Sequence, residues 1–179
     1  MNKKISILLD AEVIIHFYKG DKLTFLGELF PNRLFILDNV LEELTSNKSS
    51  AVATSVENMM RFGLLRSMEF PKKDMKIFSE YATLLKKFGK GESACLAVCK
   101  FQNSIIASSN LADITAYCHT HLIAYITTMD ILCIGLKQGK ITESECDEFI
   151  KSVRSQGSRL PNKSIVEMFA NFDQSKLLY

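Results

Sequence analysis

Residues 4–20 read KISILLDAEVIIHFYKG, and their order sets the fold class. Ile5–Leu9 form a short apolar run that stops at Asp10. AEVIIHFYKG then continues as an apolar helical stretch closed by Gly20. A strand buried on both faces reads as a continuous hydrophobic run, not as an alternation. The segment is therefore read as a buried strand, an acidic turn and a short helix.

The same unit recurs along the chain. RLFILD (33–38), SIIASS (104–109) and LIAYITT (122–128) are short apolar runs ending in polar residues. LLRSMEF (64–70) reads as an extended segment. Helical spacing appears over 21–32, 39–47, 49–63, 72–89, 91–102, 111–121, 129–140 and 142–157, with one more short helix in the tail 158–179. Gly and Pro punctuate several of these boundaries. Thr142 and Glu145, like Asn39 and Glu42, have capping-box spacing. Buried strands alternating with helices predict a three-layer α/β/α sandwich around a short central parallel sheet.

The 179 residues suffice for one domain with a sizeable core, and 47% hydrophobic content argues against disorder. The division expected is a main domain over 1–154 and an extension over 155–179 that packs on it or meets a partner. The net charge of +2 does not by itself indicate a nucleic-acid binder, although Lys3, Lys4, Lys72, Lys73, Lys76, Lys86, Lys87 and Lys90 come in groups. No apolar run reaches the ~18 residues that span a bilayer. Asp10 and Glu12 interrupt the N-terminal apolar stretch, which argues against a signal peptide. The five Cys are odd in number and lack paired spacing, so buried thiols in a reducing cytoplasm are expected.

Ligands in parallel α/β sheets bind outside the carboxyl ends of the strands. Acids recur at that edge: Asp10 after the first strand, Glu42 and Glu43 in the helix after the second, and Glu92 opening a later helix within GKGES (89–93). Asn110 and Asp113 follow SIIASS, and Asp130 follows LIAYITT. Gathered carboxylates repel one another unless a cation compensates them, and hard divalent ions prefer such oxygen donors. All of these except Glu43 also have a plain structural reading, Asp10 as the cap of the next turn. Glu42 fits a capping box with Asn39, Asn110 fits a helix cap, and Glu92, Asp113 and Asp130 favour helix N-termini. Cys95, Cys99, Cys118, His119 and His121 lack the close ligand pairs of a structural zinc site. GKGES lacks the spacing of a phosphate loop, and LLDAEV lacks the second Asp of a phosphatase-like nucleophile.

ILLDAEVIIHF, VLEEL, GKGESACLA and IIASSNLAD resemble, in that order, the four acidic motifs of PIN-domain ribonucleases. LIAYITTMDILCIGLKQGKI is similar to the strand, Thr-bearing turn and helix that close many of them. The resemblance spans roughly residues 5–150. It implies a metal-dependent ribonuclease using Mg²⁺ or Mn²⁺ at an acidic site, with RNA as substrate. It also implies a possible antitoxin partner or homodimer, as in toxin–antitoxin pairs. Carried over, Asp10, Glu43 and Glu92 match the first three acids. Asn110 stands where the fourth is expected, with Asp113 one helical turn on as the substitute and Asp130 as a further candidate. Asp10, Glu92 and Asp113 are the expected metal ligands, with Glu43 assisting. The charge-free Asn110 leaves a second expectation, a catalytically degenerate module that binds RNA or protein.

Overall fold

The computed structural model describes residues 5–46 and 51–178. Lys3, Lys4 and the first two residues of the helix expected over 49–63 lie outside them. Five strands form one all-parallel sheet: β1 (Ser6–Leu9), β2 (Leu34–Leu37), β3 (Arg66–Met68), β4 (Ser104–Ala107) and β5 (Tyr125–Ile126). Their order across the sheet is β3-β2-β1-β4-β5. Leu9 lies opposite Ala107, and the Asp10 N–H donates to the Ala107 carbonyl at 3.0 Å.

The helices are α1 (Ala11–Lys19), α2 (Leu23–Leu29), α3 (Asp38–Thr45), α4 (Ala51–Arg61), α5 (Met75–Leu84), α6 (Lys90–Phe101), α7 (Leu111–His121), α8 (Thr128–Lys137), α9 (Glu143–Ser155) and α10 (Ile165–Ala170). With the sheet they make a three-layer α/β/α sandwich. Helix α6 packs on α3 and α5, while α1 packs on α2, α4, α8 and α9. The inner strands β1, β2 and β4 are largely apolar because helices cover both faces, with Ile7, Leu8, Ile36 and Ile106 completely buried, whereas Arg66 and Ser67 of the edge strand β3 are exposed.

The chain lays β2 and β3 on one side of β1, then crosses to lay β4 and β5 on the other. The reversal falls between β1 and β4, and a crevice opens at the carboxyl ends of strands flanking such a reversal. Asp10 ends β1 and Ser108 follows β4, so the two meet there.

One local expectation is overturned. Asn39 and Glu42 do not form a capping box, because α3 starts earlier, at Asp38. The Asp38 carboxylate takes the N–H groups of Asn39 and Phe70, and the Asn39 amide donates to the Tyr81 hydroxyl. The box at Thr142 and Glu145 is present. After α9, α10 packs on α8 and α9 with Ile165 fully buried.

Candidate active site

A cleft of about 680 Å³ opens at the β1–β4 reversal, and Asp10, Glu12, Glu43, Glu92 and Asn110 line it. Asp10 is 6% exposed and caps α1, accepting the Ala11 N–H at 2.8 Å. Its other oxygen accepts the hydroxyl of the fully buried Ser108 at 3.1 Å. Burial raises the Asp10 pKa from 3.8 to about 6; those two hydrogen bonds pull it down, and the charges of Glu43 and Glu12 add to the rise.

Glu43, on α3, contacts the start of α6. That helix is capped by Gly89, which has no side chain to offer its free N–H groups. Glu43 supplies the acceptor from across the cleft: the Gly91 N–H donates to its Oε1 at 2.9 Å. A Cβ on Gly91 would stand 2.6 Å from Glu43 Oε2 and 2.9 Å from Val40 Cγ2. Glycine is required there by close approach, and Glu43 has a local structural task that its sequence position does not reveal.

Glu92 follows Gly91 in the first turn of α6 and is also 6% exposed. The buried Cys95 thiol, one helical turn on, registers the whole group. Its pKa is pushed well up, first by burial and then by charges that include those of Asp10, Glu43 and Glu92. All five Cys are free and buried, as the sequence suggests.

Three predicted acids, Asp10, Glu43 and Glu92, thus face one cleft. Asn110 lines it too; it occupies the cap position of α7 without a side-chain capping bond. Asp113 is in the first turns of α7, and its side chain lies outside what the structure describes. Asp130 does not line the cleft. It forms a capping box with Thr127 and an ion pair with Lys176 at 2.7 Å. Among the described residues, no three His, Cys, Asp or Glu side chains form a ready group for a metal ion.

Several contacts at and behind the cleft have no local signal in the sequence, although His16 in VIIHFY reads as a packed residue. Ser108 orients Asp10, yet serine after an apolar run carries no distinctive signal. His16 is 1% exposed, and its Nδ1 is 2.9 Å from Thr128 Oγ1, which in turn lies 2.7 Å from the Ser109 hydroxyl. Burial, then the charge of Lys19, lowers the His16 pKa to about 4, so the ring is neutral near pH 7. Gly157, Ser158 and Arg159 line the cleft from far along the chain.

The DUF3368 family model, a PIN domain, matches residues 6–174. The chain is a PIN domain. The match runs over the sheet, the cleft and most of the segment after α9. Among curated proteins, none matches the chain. A PIN domain carries a nuclease-like fold, and this one gathers its acids at the strand ends where that fold places its ligand crevice. Among the described residues, no helix is long and apolar enough to cross a membrane.

Proposed function

We propose that this PIN domain is a metal-dependent ribonuclease that hydrolyses RNA phosphodiester bonds in the cleft. The observation that carries the reading is the convergence of Asp10, Glu43 and Glu92, from three separate elements, on one crevice. Their donor chemistry fits Mg²⁺ or Mn²⁺. Negative charges stand close enough for Glu43 and Glu12 to raise the Asp10 pKa, and a hard cation relieves such crowding. Asp10, Glu92 and Asp113 would hold the ion, with Glu43 assisting and Asn110 offering only a neutral carbonyl.

Phosphodiester hydrolysis needs a deprotonated water and compensation for charge on the departing oxygen; a bound divalent ion supplies both. The chain's own residues supply orientation. Ser108 and the Ala11 N–H hold the two Asp10 oxygens, and the Gly91 N–H holds one oxygen of Glu43. In this reading residues 1–154 form the nuclease domain and 155–179 an extension packed on it. A toxin role, with an antitoxin partner or a homodimer and a cytoplasmic site of action, is the finer version. Growth arrest on expression, relieved by an adjacent gene's product, supports the toxin version; unimpaired growth removes it.

Cleavage of single-stranded RNA is expected with Mn²⁺ or Mg²⁺, lost in chelator and lost in Asp10→Asn and Glu92→Gln. Metal-independent cleavage, or cleavage untouched by both substitutions, overturns the proposal. Asn110 favours a second reading, a degenerate binding module. That module binds RNA but neither cleaves it nor takes up Mn²⁺ in calorimetry, and detection of cleavage abolishes it.

A further inference from the structure

A cleft lined by carboxylates repels a polyanion, so an RNA strand entering it needs cations at the rim. Two cationic side chains line it, Lys19 and Arg159. Their situations differ. Lys19, at the end of α1, is committed to the protein: its ammonium donates to the Gln156 carbonyl at 2.9 Å and to the Ser158 hydroxyl at 2.8 Å. The bonding is reciprocal, since Ser152 Oγ and Gln156 Nε2 both donate to the Lys19 carbonyl at 2.8 Å.

This clasp sets the path of the chain leaving α9. Gly157 adopts φ +80°, the left-handed region that a glycine reaches without strain. The Gly157 N–H donates to Arg154 O at 3.0 Å and the Ser158 N–H to Val153 O at 3.2 Å. That is the Schellman pattern of helix termination, and it turns the chain sharply. Arg154 then bonds the Pro161 carbonyl and ties down the far side of the turn. Below it, Phe149 seats α9 on α1: a Cβ on Gly20 would lie 2.1 Å from the Phe149 ring.

Arg159 is the residue delivered by this turn. It is exposed, and among the described residues no hydrogen bond or ion pair engages its guanidinium. By contrast, Lys22, Lys100 and Lys176 are each paired with a carboxylate. A guanidinium carries a fixed fork of donors suited to phosphate oxygens. We infer that Arg159 binds a backbone phosphate of the RNA strand at the mouth of the acid cleft, and that Lys19 is the positioning residue that holds the Arg159 turn in place. The inference rests on the nuclease reading and assigns a substrate contact to the segment after α9.

The test is binding of a fluorescein-labelled mixed-sequence single-stranded RNA to Asp10→Asn protein, alongside cleavage kinetics in the otherwise wild-type chain. Arg159→Ala is expected to weaken binding about 10-fold and to reduce the slope of log affinity against log salt by about 0.7, the share of one phosphate contact on a single strand. In cleavage it raises KM far more than it lowers kcat, and Arg159→Lys restores part of the loss. Lys19→Met shifts KM in the same direction, and the double variant is no worse than Arg159→Ala, because both act through one contact. Unchanged affinity and salt slope in Arg159→Ala, or additive effects in the double variant, overturn the inference while leaving the nuclease reading intact. A parent protein that neither binds nor cleaves RNA overturns both.

Discussion

Asp10 and Asp130 hold corresponding places in the fold. Each sits where a helix leaves the carboxyl end of a strand, α1 after β1 and α8 after β5. Their surroundings are opposite. Asp130 is paired with a cation: its Oδ2 takes the Thr127 N–H and hydroxyl at 2.8 Å each and the Lys176 ammonium at 2.7 Å. Glu80 is similar, for although burial alone would raise its pKa, Lys100 and Tyr117 hold it below the ordinary value. Asp10 has polar partners too, but burial raises its pKa to about 6, and the charges of Glu43 and Glu12 add to the rise. A carboxylate paired with a cation stabilises the fold; one buried beside like charges is kept at a cost, an arrangement common at functional sites.

The sharpest test of this contrast is cleavage itself. Asp10→Asn and Glu92→Gln should each reduce turnover of RNA by about 100-fold or more, the scale of losing a group that acts at the reacting centre. Asp130→Asn should leave the rate within about threefold, since Asp130 does not line the cleft. A large loss with Asp130→Asn would break the comparison.

Stability should respond in the opposite sense. The Asp10 pKa is raised in the folded state, so its ionised form opposes folding. That penalty is absent below the ordinary value of 3.8 and complete above about 6. Asp10→Asn is therefore expected to stabilise the protein at pH 7 by about 1–3 kcal/mol, with the gain disappearing as pH falls through that window. Urea denaturation of both proteins at pH 4 and pH 7 measures it. Cleavage at limiting metal should also rise with pH through about 6, and excess Mn²⁺ should move that rise to lower pH, because metal and proton compete for the carboxylate.

Gly91→Ala places a methyl group against Glu43 and Val40 and should cost about 1–3 kcal/mol through overpacking. It should also slow cleavage about 10-fold or more by displacing Glu43. Thermal unfolding together with the RNA assay separates the two effects; an unperturbed rate would show that Glu43 only caps α6. The smallest effect is expected for Asp130→Asn, about 1 kcal/mol of stability from a weakened cap and lost ion pair.

Much of the architecture was legible because continuous apolar runs and Gly-closed amphipathic helices are local signals. The strand from KISILLD, the helix after it and the capping box at Thr142 all follow from neighbours in sequence. Where a partner lay far along the chain, local reading failed. Asn39 looked like the cap of α3, but the long-range bond from Phe70 N–H to Asp38 and the contact of Asn39 with Tyr81 accompany an earlier start. Asp130, a further candidate by its place after β5, is ion-paired with Lys176 from the tail, a partner its neighbours in sequence do not reveal.

The order of residues alone indicated that acids would collect at one edge of a parallel sheet, because each lies at a strand end or in a helix that follows or feeds a buried strand. It could not determine which acids would be quenched and which left crowded. That depends on cations, N–H groups and hydroxyls brought from distant segments: Gly91 to Glu43, Ser108 to Asp10, Lys176 to Asp130 and Arg159 to the cleft mouth. Electrostatic environment is a property of distances through space, so only the tertiary structure decided it.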